Sequence, residues 1–187
     1  MNPSPAVSPQ TSLQPPIGLA EPTGRSQEYI GQLAGRIAGK LDYKAGDELI
    51  PIVTERLGGK VEFRSWKEGR VDGAIHVRGP RDFTIFLSPF TGPLRDRFTI
   101  AHELGHYFLH SLVGEKPIKI NREGSGRVEW EANWFAAGFL MPEEVFRNMW
   151  SDTGGRVPAL ASNFNVSTQT IRIRAQVLGL QASDHRG

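Results

Sequence analysis

Arg97-Phe98-Thr99-Ile100-Ala101-His102-Glu103-Leu104-Gly105-His106-Tyr107-Phe108-Leu109-His110 is the stretch of this 187-residue chain on which its reading turns. Ala101, Leu104 and Phe108 recur at helical spacing and line one side of a helix. That helix is expected to open at Pro93, where a missing N–H costs nothing, and to stop before Gly114. Inside it, His102-Glu103-Leu104-Gly105-His106 has the spacing H-E-x-x-H. Residues four apart share a helix face, about 6 Å apart along the axis. Two imidazoles so placed can converge on one zinc ion through bonds of roughly 2.0–2.1 Å. Glu103 lies about 100° around the helix from His102, beside the two ligands, where a carboxylate reaches a zinc-held water as general base.

Two histidines leave a catalytic zinc short of its usual three protein ligands and a water. His110 is one more turn along the same face, about 12 Å from His102 on a straight helix. It is too distant to share the ion and is expected to wall the cleft or cap the helix. The next helix, predicted over about 127–140, carries the apolar stripe Val128, Ala132, Phe135, Phe139, flanked by Glu129 and Glu131. Periodicity does not separate these two carboxylates. Their neighbours four residues on do: Glu129 has Asn133, which can accept from the far N–H of a ligand histidine and fix its tautomer, whereas Glu131 has Phe135. The expected site is therefore His102, His106 and Glu129 on Zn2+, with Asn133 behind one of the histidines.

The rest of the chain frames this site. Residues 1–24 hold six of the thirteen prolines and few large apolar side chains, which predicts a disordered, partly extended tail. Ile30, Leu33, Ile37 and Leu41 predict a helix capped by Ser26. Leu49, Val53 and Leu57 predict a second, ended at Gly58-Gly59. Three short segments, 61–66, 73–77 and 83–87, read as a small antiparallel three-stranded sheet. Residues 114–127 read as a loop. The strand Phe83–Leu87, directly before the zinc helix, could as a free edge hold an extended peptide. The fold class is α+β, with a zincin-like domain over 25–150 and a helical, helix-turn-helix-like portion over 151–187.

Composition narrows the function. There are 22 basic and 20 acidic residues, a formal charge of +2, and no cysteine, so disulfide scaffolds, thiolate nucleophiles and cysteine-bound zinc are excluded. No apolar run approaches the ~20 residues that span a bilayer, and no basic residue precedes Arg25 as in a secretory signal. A cytoplasmic protein without membrane contact is expected. In the segment 160–171, Asn165 suits a left-handed turn and Ser167 a helix cap, the pattern of a helix-turn-helix. That portion has four arginines against Asp152 and Asp184, a surplus too thin for phosphate binding, so direct DNA contact is not expected. Tyr107, His110, Arg172 and Arg174 are the candidate donors to the oxyanion of a peptide-hydrolysis transition state.

The stretches RFTIAHELGHYFLH (97–110) and EWEANWFAAGFLMP (129–142) resemble the ImmA/IrrE family of metallo-endopeptidases, and the likeness runs from about residue 30 to 180. The resemblance implies a minimal zincin core with His102, His106 and Glu129 on zinc, Glu103 as base, and Asn133 in the family's Asp/Asn position. It also implies a protein substrate, typically a helix-turn-helix repressor, whose cleavage relieves repression. With no repressor domain recognisable at its N-terminus, this chain is expected to meet that repressor in trans. The competing reading is a non-enzymatic regulator, or a toxin–antitoxin-like partner, that binds a repressor or DNA and uses zinc as a staple.

Overall fold

The computed structural model describes residues 17–65, 73–121 and 126–181. Seven helices and four strands are found among them. Helix α1 (Gln27–Lys40) starts where Ser26 Oγ accepts the Tyr29 N–H at 3.2 Å. A single turn, α2 (Leu49–Pro51), continues as a wider π-helical turn to Arg56. Strands β1 (Lys60–Phe63), β2 (Gly73–Gly79) and β3 (Asp82–Leu87) precede α3 (Pro93–Gly105), which has proline in its first turn. After β4 (Ile118–Asn121) come α4 (Arg127–Leu140), α5 (Glu143–Asp152), α6 (Val157–Phe164) and α7 (Thr168–Val177).

The α+β class stands, but the sheet differs from the expectation of three antiparallel strands. It has four, in the order β1-β3-β2-β4. β2 pairs antiparallel with both β3 and β4, while β1 runs parallel to β3. The fourth strand lies in the segment expected as loop: Ile118-Lys119-Ile120-Asn121 is too short and too polar around it to announce itself, yet Ile118 is 1 % exposed. The free-edge role expected for Phe83–Leu87 is also corrected. β3 is interior, its backbone bonded on both sides, so no peptide can add to it. Trp66, expected to end the first strand, lies outside the described residues.

One core joins the layers. Phe83, Ile75, Ile85 and Leu87 of the sheet pack with Leu104 of α3 and with Phe135 and Phe139 of α4, all nearly inaccessible to water. Helix α4 lies between α1 and α3 and touches both. Its approach to α3 depends on Gly105: a Cβ there would lie 3.0 Å from Ala132 Cα and 3.1 Å from its carbonyl oxygen. In the C-terminal helices Asn165 is left-handed (φ 52, ψ 51), and Ser167 Oγ accepts the Thr170 N–H at 3.1 Å. No described helix is long and apolar enough to cross a membrane.

The expected tail over 1–24 falls partly outside the described residues, at 1–16. Over 17–24 the structure departs from it. Gly18 bridges to Ile118 beside β4, its N–H donating to Pro117 O at 2.9 Å. Thr23 and Gly24 are bonded to Glu131 of α4. Composition predicts disorder here because apolar side chains are scarce; the order comes from backbone amides, which composition does not register.

Candidate metal centre

Helix α3 presents His102, and the π-helical turn that continues it (His106–His110) presents His106 one turn on. From His106 the helix widens into a π-helical turn through His110, closed by the Ser111 N–H donating to His106 O at 2.9 Å. Such π turns recur at functional sites. Helix α4 crosses at Gly105 and brings its first turn, with Glu129, against the two histidines.

Donor atoms of three side chains converge. His102 Nε2 and His106 Nε2 are 3.0 Å apart; Glu129 Oε2 is 3.1 Å from the first and Glu129 Oε1 is 3.5 Å from the second. His102 and His106 are fully buried and Glu129 is 8 % exposed. Atoms bound to one tetrahedral zinc at roughly 2.0–2.1 Å stand ~3.3 Å from each other, and the three separations here bracket that value. The donor set, two imidazole nitrogens and one carboxylate, is one that zinc takes in catalytic sites. His102, His106 and Glu129 are accordingly a group that could hold a metal ion.

The far nitrogens of both imidazoles are also engaged. His102 Nδ1 is 2.9 Å from Asn133 Oδ1, the contact that the spacing from Glu129 led us to expect. His106 Nδ1 is 2.9 Å from His110 Nδ1, and His110 Nε2 is 3.3 Å from Glu131 Oε2. Glu131, fully buried, also accepts from the Thr23 N–H (2.7 Å), the Thr23 hydroxyl (2.9 Å), the Gly24 N–H (2.9 Å) and Arg127 Nε (3.0 Å). Burial pushes the Glu131 carboxyl up, but the hydrogen bonds from Thr23, Arg127 and His110 outweigh it and hold the group below its usual range. Burial pushes the His110 imidazole down, against the pull of Glu131, which favours its neutral form.

Glu103, buried at 1 % exposure, follows His102 on α3 and lies beside the start of β2. A Cβ on Gly73 would sit 3.0 Å from Glu103 Oε1 and 2.3 Å from Thr99 Cγ2. A larger residue at 73 would collide with the Thr99 methyl and crowd this carboxylate.

Of the four expected oxyanion donors, His110 contacts a residue of the cluster, while the hydrogen bonds of Tyr107 and Arg174 run to other parts of the fold. Tyr107 is 1 % exposed and stacked on Phe83, and its hydroxyl accepts the Arg81 N–H at 3.2 Å. It is one residue past His106, so its side chain leaves the helix about 100° away from the ligand. His110 stands behind His106, occupied with Glu131. Arg172 is exposed on α7. Arg174 is buried, and its Nε and guanidinium NH2 donate to Met141 O at 3.1 and 2.9 Å. Met141 is at the far end of α4, twelve residues past Glu129 or ~18 Å along a helix. What the sequence did not reveal is the pairing of His110 with Glu131. Its signal was present, since His110 is four residues after His106 and Glu131 two after Glu129, but nothing in the spacing of either helix says that the two meet.

Comparison with known proteins adds three findings. The family model described as IrrE N-terminal-like domain, a peptidase family, matches residues 54–176. The radiation response metalloprotease IrrE of Deinococcus radiodurans is 30% identical over 115 residues, which are 56% of this chain and 32% of that protein. The chain thus spans about a third of the length of that curated relative. A solved Mycobacterium tuberculosis transcriptional regulator superposes with a TM-score of 0.57 at 18% identity, covering 86% of this chain and 49% of that one; the likeness is one of fold.

Proposed function

This chain belongs to the IrrE N-terminal-like family of peptidases, and from that premise we propose that it is a zinc-dependent endopeptidase whose substrate is a regulatory protein, a helix-turn-helix repressor supplied in trans. The observation that carries the reading is the meeting of His102 Nε2, His106 Nε2 and the Glu129 carboxylate within 3.0–3.5 Å of one another. These three side chains would hold the ion, and Asn133, accepting the His102 Nδ1–H, keeps that ring's Nε2 free of a proton. A zinc ion bound there supplies positive charge that polarises a peptide carbonyl and acidifies water.

The chain's own chemistry in that reaction falls to Glu103. Its carboxylate takes a proton from the attacking water and delivers it to the leaving amine, one group serving as base and then as acid. Its buried setting on α3, next in sequence to His102, keeps it out of bulk solvent. A protein as substrate is supported by the metalloprotease relative; a repressor as that protein rests on the family resemblance.

The test is incubation of the purified, zinc-loaded chain with helix-turn-helix repressors encoded in the same genome, beginning with any in a neighbouring reading frame. Two defined fragments, abolished by a chelator and restored by zinc, are expected. An intact repressor held in a stable, zinc-independent complex would overturn the enzymatic reading in favour of a non-enzymatic regulator.

A further inference from the structure

We propose that His110 and Glu131 are positioning residues for the metal centre: His106 Nδ1–H donates to His110 Nδ1, His110 Nε2–H donates to Glu131, and this relay fixes the His106 ring with Nε2 turned toward His102 and Glu129. The inference rests on the metallopeptidase reading above and extends it to the backing of the second histidine.

Proton bookkeeping gives the relay its direction. A neutral imidazole that offers the lone pair of Nε2 to a cation carries its proton on Nδ1. In His106 that nitrogen faces His110 Nδ1 at 2.9 Å, so His110 Nδ1 must be the bare, accepting nitrogen. The His110 proton then sits on Nε2, the atom 3.3 Å from Glu131 Oε2. An ionised carboxylate only accepts, which matches the last step. The opposite tautomer of His110 would set two N–H groups against each other at one end and two lone pairs at the other.

The carboxylate that terminates the relay cannot swing away. Besides His110 it takes four hydrogen bonds, from the Thr23 backbone and hydroxyl, the Gly24 N–H and Arg127 Nε. Glu131 and His106 are fully buried and His110 is 4 % exposed, so water has little room to replace a missing partner. The two ligand histidines are thus backed differently. His102 uses one amide, Asn133. His106 uses two side chains, anchored in turn by residues 23 and 24. Metal-binding histidines commonly need such a hydrogen-bonded partner, and losing it typically weakens metal affinity 10–100-fold.

Two measurements on the full chain test the relay. Nitrogen-15 imidazole NMR of the zinc-loaded wild type should find His106 protonated at Nδ1 and His110 protonated at Nε2; His110 protonated at Nδ1 overturns the proposal. This measurement needs no substitution. Zinc affinity, read by competition with a chromophoric chelator, should weaken about 10–100-fold in His110→Leu. It should recover in His110→Asn, whose amide oxygen can stand near the place of Nδ1, and the visible spectrum of the cobalt(II)-loaded proteins should shift and return in the same order. Normal zinc uptake by the wild type with unchanged affinity and spectrum in His110→Leu overturns the relay alone. A wild type that takes up no zinc overturns the metallopeptidase reading, and the relay falls with it.

Discussion

Glu103 and Glu129 carry different burdens in the proposed reaction although both are buried carboxylates. Glu129 closes the donor triangle; in that proposed reaction Glu103 is the group that moves a proton. Glu103→Gln keeps shape and removes the base, so cleavage should fall by at least about 10²-fold while zinc content, measured by atomic absorption, stays at wild-type level. Retained turnover would remove the base assignment. Glu129→Ala should release zinc or weaken its binding sharply, and an unchanged zinc content would pass the ligand role to Glu131. These residues were legible because H-E-x-x-H is a local pattern and Asn133 stands at a fixed interval from Glu129. Tyr107 and Arg174 were less legible for the complementary reason. Residue type speaks of chemistry, but only packing tells that the Tyr107 hydroxyl is taken by Arg81 and the Arg174 guanidinium by Met141.

At the scale of elements, the site depends on how closely α3 and α4 can lie. Gly105→Ala would press a methyl against the Ala132 backbone and Phe135 Cβ, at 3.0–3.2 Å. Overpacking of this kind costs about 1–3 kcal/mol, and because the obstructing atoms are backbone, α4 must shift and carry Glu129 with it. A melting temperature lower by several degrees, together with weaker zinc binding, is expected; wild-type affinity would show that the crossing tolerates the methyl. Arg174→Ala separates structure from catalysis. It leaves the Met141 carbonyl without its buried donor and should destabilise the fold by about 1–3 kcal/mol, read by urea unfolding, with kcat and zinc affinity preserved. A selective fall in kcat would restore Arg174 to the reaction. The helices were readable from apolar periodicity and from Pro93 and Ser26 at their starts. The sheet was only partly so, since alternation tells which face of a strand is buried and not which strand lies beside it, and β1 beside β3 is a matter of connection.

Taken as a whole, the molecule ties its N-terminal segment to its reactive centre through Glu131. Because that carboxyl titrates below its ordinary value of 4.5, its contribution is complete above that value and is lost as pH falls through the lower, folded one. Hydrogen-exchange protection of the Thr23 and Gly24 amides, corrected for intrinsic rates, should therefore be full above 4.5 and drop as the pH is taken progressively below it; protection that stays constant on acidification would deny Glu131 this role. No sequence pattern foretold the tie, because its donors are two backbone N–H groups and one threonine hydroxyl in a stretch poor in apolar side chains. The central claim is that in the proposed centre one cation is shared by the last turn of α3, the π-helical turn that follows it and the first turn of α4. Zinc-edge anomalous diffraction from zinc-loaded crystals tests it most directly. The account predicts a single peak roughly 2.0–2.1 Å from His102 Nε2, His106 Nε2 and a Glu129 carboxylate oxygen. A map with no peak among those atoms, or with zinc seated on Glu131 instead, would contradict it.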